Sequence, residues 1–138
     1  MFRKIDDSIS VAPQIGVADV RAAADQGFTM IVNNRPDQEE PGQPSGAEIR
    51  EAARAAGLAY VAIPIGHGGF SANQVEAMRD ALENAGGPVL AFCRSGTRST
   101  FVWALAKGAD GEDAETLAAK AAQAGYDISP IKPLLGPR

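Results

Sequence analysis

The sequence has little of what most site chemistries need. It holds one cysteine, one histidine and one tryptophan in 138 residues, and aromatic residues make up 6%. A single cysteine, Cys93, excludes an intramolecular disulfide and fits a reducing compartment. Cys93 and His67 together cannot supply the four ligands of a structural zinc site. The longest apolar run, Ala59 to Ile65, is far short of the roughly 20 residues that span a bilayer. The opening MFRKIDDSIS has no apolar stretch of a secretory signal. Basic residues are not in excess: 13 face 17 acidic ones, for a net charge of −4. The electrostatic footprint of a nucleic-acid-binding protein is therefore missing. Neither a GxGxxG nor a Walker loop occurs. These absences predict a soluble, cytoplasmic protein with no metal, no cofactor, no nucleic-acid partner and no membrane partner.

What is present fits an ordinary globular chain, with 45% hydrophobic and 22% charged residues. The length fits one domain over 1–138, with a core from about 5 to 126 and a tail over 127–138. Thr29–Asn33, Ala59–Ile63 and Val89–Phe92 are short apolar runs rich in β-branched residues and bounded by Gly, Pro or Asn, and they read as buried strands. Ser8–Val11 reads as a weaker strand at an edge, because Pro13 ends it. Val17–Gln26 reads as a helix closed by Gly27. Ser45 and Ser71 each open a capping box, predicting helices to about Ala56 and Ala85. Ser99–Lys107 and Glu112–Ala124 complete the helical set, and one further turn is expected near Ile131–Leu135 before the tail frays. Strands alternating with helices predict an α/β domain whose mostly parallel sheet of four to five strands is flanked by helices. Asn33–Ser45 (NNRPDQEEPGQPS) is a long polar loop, too rich in charge and proline for regular structure.

The most informative segment is Cys93-Arg94-Ser95-Gly96-Thr97-Arg98-Ser99. A buried strand ends, the cysteine follows, and a helix begins within about six residues. Ligands of open α/β sheets bind at the carboxyl ends of strands. Inward-turned N–H groups and a helix N-terminus there make an anion cradle that favours thiolate over thiol. Cys93 and Arg98 are thus the candidate catalytic pair. Arg94, Ser95, Gly96, Thr97 and Ser99 are candidate anion-binding residues. The other rim candidates are Arg35, Asp37 and His67. Arg35 is expected to pair with Asp37 or to bind an anionic substrate, and Asp37 or His67 is a possible proton donor. Tyr60 and Trp103 read as structural residues.

The loop resembles those of two cysteine-enzyme families. Tyrosine and dual-specificity phosphatases carry Cys-x5-Arg-Ser/Thr, and rhodanese sulfurtransferases carry Cys-x4-Arg. Cys93-x4-Arg98 matches the shorter form. Val-Ala-Pro-Gln14, Gly27-Phe28, Asn33-Asn34-Arg35-Pro36-Asp37-x-Glu39, Gln43-Pro44 and Tyr60-x-x-Ile63-Pro64 precede it in order. Together they resemble the bacterial family of beta-lactamase hydrolase-like proteins, phosphatase-like domain, to which sulfur transfer is also ascribed. The resemblance spans about Ile5 to Tyr126 and implies a fold like that of dual-specificity phosphatases. Some members are fused to a metallo-β-lactamase-like sulfur dioxygenase, and this chain would be a stand-alone version.

The segment Ile63–Phe70, where the phosphatase relatives place an acidic proton donor, holds no carboxylate. That gap and the short loop favour a sulfurtransferase, in which Cys93 forms a persulfide and passes sulfane sulfur to a thiol or cyanide. The alternative is a phosphatase acting through a Cys93 phosphocysteine, and a third reading is a non-catalytic redox or persulfide sensor. The expected partners are a small anionic substrate (persulfide, thiosulfate or phosphate ester) and, for sulfur transfer, a thiol acceptor.

Overall fold

In the computed structural model, which describes residues 2–135, the chain runs β1 (Arg3–Asp6), β2 (Ile9–Ala12), α1 (Val17–Asp25), β3 (Met30–Asn33), α2 (Gly46–Ala55), β4 (Ala59–Ala62), α3 (Ala72–Asn84), β5 (Val89–Phe92), α4 (Thr97–Ala109) and α5 (Ala114–Gln123), ending in a 3-10 segment over Ser129–Leu134. The strands form a single five-stranded sheet in the order β1-β2-β5-β3-β4. All pairings are parallel except that of β1 with β2. The expected α/β domain with a mostly parallel five-stranded sheet is what forms.

The sheet is covered on both faces because β5 and β3 alternate apolar residues that are all buried. Val89 and Ala91 pack with Met30, Val32, Met78, Trp103 and Leu117 beneath α3, α4 and α5. Leu90 and Phe92 pack with Ile31, Val20, Ile49 and Ala53 beneath α1 and α2. Each large side chain buried in this way stabilises the fold by about 1.5–3 kcal/mol.

Helix boundaries follow local chemistry. Ser45 accepts from the Glu48 N–H, and Ser71 accepts from the Gln74 N–H, closing both expected capping boxes. Gly27 and Gly57, at φ +94° and +82°, follow the last turns of α1 and α2 in the left-handed region, where a Cβ is disfavoured.

Three expectations are corrected. Ala59–Ile63 is no buried strand: β4 lies at one edge of the sheet, with Ala59 and Ala62 exposed and Tyr60 and Val61 half-buried. The strand near Ser8–Val11 is no edge strand: β2 is buried throughout and pairs with both β1 and β5. The edge on that side is β1, which escaped notice because only Ile5 of its Arg3-Lys4-Ile5-Asp6 run is buried. The tail is also not external to the core, since Ile128, Ile131 and Leu135 are buried in the α3–α5 cluster. The expected fraying end over 136–138 lies outside the described residues. No described helix is long and apolar enough to cross a membrane.

The carboxyl ends of β3, β4 and β5 meet at one rim. The Asn34 N–H donates to the Phe92 carbonyl at 2.8 Å, and the Ile65 N–H donates to the Asn34 carbonyl at 2.9 Å. The rim therefore gathers the Cys93 loop, the polar loop after β3 and the glycine-rich loop after β4.

Candidate active site

Cys93 follows β5 directly and is fully buried. The chain then turns at Gly96, the N-cap of α4, with φ +92°. That turn aims the Gly96 N–H at the cysteine, 3.1 Å from Sγ. The N-terminus of α4 adds its partial positive charge on the same side. The loop thus sets one backbone donor, the Gly96 N–H, on the sulfur.

The two arginines of the loop part company. Arg94 is exposed and pairs outward with Glu40 at 2.9 Å. Arg98 turns inward. Its Nη1 donates to Glu39 Oε2 at 2.7 Å and to the Ile65 carbonyl at 2.6 Å, and its Nη2 donates to Glu39 Oε1 at 2.9 Å. A guanidinium has five N–H donors. These bonds use both hydrogens of Nη1 and one of Nη2. Nε–H and the second Nη2 hydrogen remain on one side of the plane, toward the Cys93 sulfur, which accepts from this guanidinium; a fork of this kind can bind an oxyanion bidentately. The pairing with Glu39 is the main cause that raises the Arg98 pKa; burial opposes it, and the nearby Cys93 sulfur adds to it as a charge and hydrogen-bond acceptor.

Glu39, named in the loop motif, is the residue to which sequence reasoning gave no role. Its side chain is 13% exposed and lies between two arginines. Arg35 Nε donates to Glu39 Oε1 at 2.8 Å. The bonds from Arg98 above all, with those from Arg35, hold the Glu39 carboxyl at a pKa of about 2 against the opposing effect of burial. The sequence signal was only a carboxylate four residues after Arg35; its partner Arg98 lies 59 residues away.

Arg35 is itself buried, and each of its three guanidinium nitrogens donates one bond. Besides Glu39 it donates to Gln14 Oε1 at 3.0 Å and Glu40 Oε1 at 2.7 Å. The expected Arg35–Asp37 pair is therefore replaced by Arg35–Glu39 and Arg35–Glu40. Asp37 instead accepts the Gly46 N–H at 2.7 Å, at the first turn of α2, where a carboxylate complements the helix dipole. His67 sits on the exposed loop after β4, its Nε2 3.6 Å from Glu39 Oε2.

The hydroxyls divide by face. Ser99 is buried and donates to Asn34 Oδ1 at 2.7 Å, while Asn34 Nδ2 donates to the Ile63 carbonyl at 3.0 Å. Ser99 was expected at the sulfur or an oxyanion; its hydroxyl instead ties α4 to the ends of β3 and β4. Ser95 Oγ donates to Thr97 Oγ1 at 3.0 Å, bracing the turn. Trp103 lies in the core as expected, and Tyr60 accepts from Asn33 Nδ2 at 3.0 Å. Among the described residues no group of three or more His, Cys, Asp or Glu side chains is placed to hold a metal. The site offers a buried sulfur, a backbone donor and an arginine fork, which together can bind an anion and attack it.

Known proteins bear directly on this geometry. Residues 1–110 match the family described as beta-lactamase hydrolase-like protein, phosphatase-like domain. The match ends before α5 and Tyr126. A beta-lactamase hydrolase-like protein of Agrobacterium fabrum is 37% identical over 108 residues, and one of Xylella fastidiosa is 35% identical over 107; each alignment covers 78% of this chain. The chain spans about a quarter of the length of these relatives. Among solved structures, a protein of Neisseria meningitidis described as a phosphatase is 31% identical and superposes with a TM-score of 0.84, over 97% of this chain and 95% of that one. Tk-PTP in its active form shares the fold at TM-score 0.74 and 20% identity, covering 97% of this chain and 92% of its own. TpbA of P. aeruginosa, solved in complex with pTyr, shares it at 0.60 and 14%, over 93% and 85%. The neighbours are thus phosphatase-like. They support the phosphatase alternative over the sulfurtransferase and rhodanese assignment that the short loop had favoured.

Proposed function

Because the chain belongs to the family of beta-lactamase hydrolase-like protein, phosphatase-like domains, we propose that it is a cysteine-dependent phosphatase working through a phosphocysteine on Cys93. One observation carries the reading: the buried Cys93 sulfur lies under the Gly96 N–H, beside an Arg98 whose Nε–Nη2 fork is left over by Glu39. Phosphatase neighbours crystallised with pTyr and with citrate bind anions on the same fold, which favours a phosphate monoester as substrate.

In the first step the sulfur attacks phosphorus, the P–O bond to the leaving group breaks, and an S–P bond forms. Arg98 holds two non-bridging oxygens while charge spreads over them. Water then cleaves the S–P bond, releasing phosphate and returning the thiolate. The leaving oxygen needs a proton only when it is a poor leaving group. Glu39 cannot supply it, because a carboxyl with a pKa of about 2 stays ionised at neutral pH. Asp37 is engaged at α2. His67, exposed at the rim beside Glu39, is the proton donor in this reading. A histidine so loosely held gives a small acceleration, so aryl phosphates, whose leaving groups depart readily, are preferred over alkyl phosphates.

A second reading rests on one feature, the four-residue spacing from Cys93 to Arg98. In it the thiolate attacks the sulfane sulfur of thiosulfate, the S–S bond breaks and sulfite leaves. Intact-protein mass spectrometry separates the two. Rapid quenching during aryl phosphate turnover is expected to show a phosphoryl adduct that is absent in Cys93→Ser. A sulfur adduct after thiosulfate, with no phosphoenzyme and no aryl phosphate turnover, overturns the phosphatase reading.

A further inference from the structure

We propose that Tyr126 is a positioning residue that fixes the peptide unit facing the Cys93 sulfur. The Tyr126 hydroxyl donates to the Ser95 carbonyl at 3.0 Å. The N–H of the same Ser95–Gly96 peptide donates to Cys93 Sγ at 3.1 Å. The carbonyl and N–H of one trans peptide point in opposite directions within a rigid plane. Holding the carbonyl end therefore aims the N–H end, and polarising that carbonyl strengthens the N–H as a donor.

Tyr126 is well placed for this. Its own N–H donates to the Ala121 carbonyl at 2.9 Å, just after Gly125 at φ +95°, which roots it at the end of α5. The Arg3 guanidinium lies 5.5 Å from its ring centroid, and Arg3 Nη1 reaches the Ala124 carbonyl at 3.5 Å. A Cβ at position 96 would fall 2.1 Å from the Tyr126 hydroxyl. Gly96 is thus required twice, by its positive φ and by the close approach of this phenol. Burial, the largest effect, raises the Tyr126 pKa, with the Cys93 charge adding to it and Arg3 opposing. The hydroxyl therefore stays protonated and able to donate at neutral pH.

This role rests on Cys93 being the nucleophile, and the test reads the sulfur without needing phosphatase turnover. The ionisable groups coupled to Cys93 are Arg98 and Tyr126, with Glu39 and His67 acting on Arg98 and Glu39 at the rim. Alkylation of Cys93 by iodoacetamide is measured at pH 6.5 and pH 10 in the wild type, in Tyr126→Phe and in Tyr60→Phe. One hydrogen bond of about 1 kcal/mol corresponds to a rate change of about fivefold. Tyr126→Phe is expected to slow alkylation by about that factor at pH 6.5 and to match the wild type at pH 10, above the ordinary cysteine value of about 8.5. Tyr60→Phe, which removes the other phenolic hydroxyl, is expected to match the wild type at both. An unchanged Tyr126→Phe rate at pH 6.5, equal slowing at both pH values, or equal slowing in Tyr60→Phe overturns the role of Tyr126. Normal alkylation behaviour with no phosphoenzyme overturns the phosphatase reading alone.

Discussion

Two loops at the same rim behave differently. The Cys93–Ser99 loop is short, leaves the central strand β5 and enters α4 at once, so its cradle is built from neighbours in sequence: Gly96 reaches Cys93 across three residues. The Asn33–Ser45 loop leaves β3 and is long and polar, and its decisive contact joins Glu39 to Arg98 from 59 residues away. The first loop sets a backbone donor on the Cys93 sulfur by its own geometry. The second decides how the arginine of that site is held. In the proposed reading the nucleophile is thus encoded locally, while the arginine assigned to its substrate is aimed by another part of the chain.

The sharpest way to break the local half is Cys93→Ser. Loss of the nucleophile is expected to lower aryl phosphate turnover by at least about 10³-fold, measured as kcat alongside the missing phosphoenzyme. Arg98→Lys comes next. Lysine can still carry the charge but cannot offer Glu39 two donors and the substrate a fork, so kcat/KM is expected to fall by about 10²-fold or more. Retention of near-wild-type kcat/KM would show that backbone donors alone hold the substrate.

Glu39→Gln probes the distant half. It removes one of the two ionic partners of the buried Arg35, leaving Glu40, and frees Arg98 from its bidentate hold. The expected cost is about 3 kcal/mol of stability, read by urea unfolding, with a drop in kcat/KM of about tenfold. Its pH signature follows from sign. The folded-state pKa of Glu39, about 2, lies below its ordinary value of 4.5. The carboxylate's contribution is therefore complete above about pH 4.5 and is lost as pH falls toward 2. Wild-type stability should decline through that window, and Glu39→Gln should flatten the decline.

The smallest effect is expected at Asp37. Asp37→Ala removes the carboxylate bonded to the Gly46 N–H and should cost about 1 kcal/mol of stability, with aryl phosphate kcat/KM within about twofold of wild type. A large loss of kcat/KM without loss of stability would return Asp37 to the role of proton donor.

The rim contrast also explains what could be read in advance. The parallel strands were legible because buried strands carry continuous apolar runs between turn residues. β1 was not, because Ile5 is the one apolar residue of its four; β4, at the other edge, was legible because its Ala-Tyr-Val-Ala run is apolar although only half-covered. Ser99 was misplaced because the loop motif was read as a string. Once α4 starts at Thr97, Ser99 shares the inward face with Trp103 and Ala106, all fully buried, and its hydroxyl meets Asn34.

The sequence by itself determined the elements that depend on near neighbours: strand, cysteine, glycine turn and helix, together with the serine caps that start α2 and α3. Only the tertiary structure decided which carboxylate serves the site. Asp37 and Glu39 are two residues apart in one polar loop, yet one is used on α2 and the other on Arg98. Hydrophobic periodicity and capping act over a few residues, whereas an ion pair depends on where two segments meet in space. That meeting is set by the order in which β5 and β3 lie side by side in the sheet.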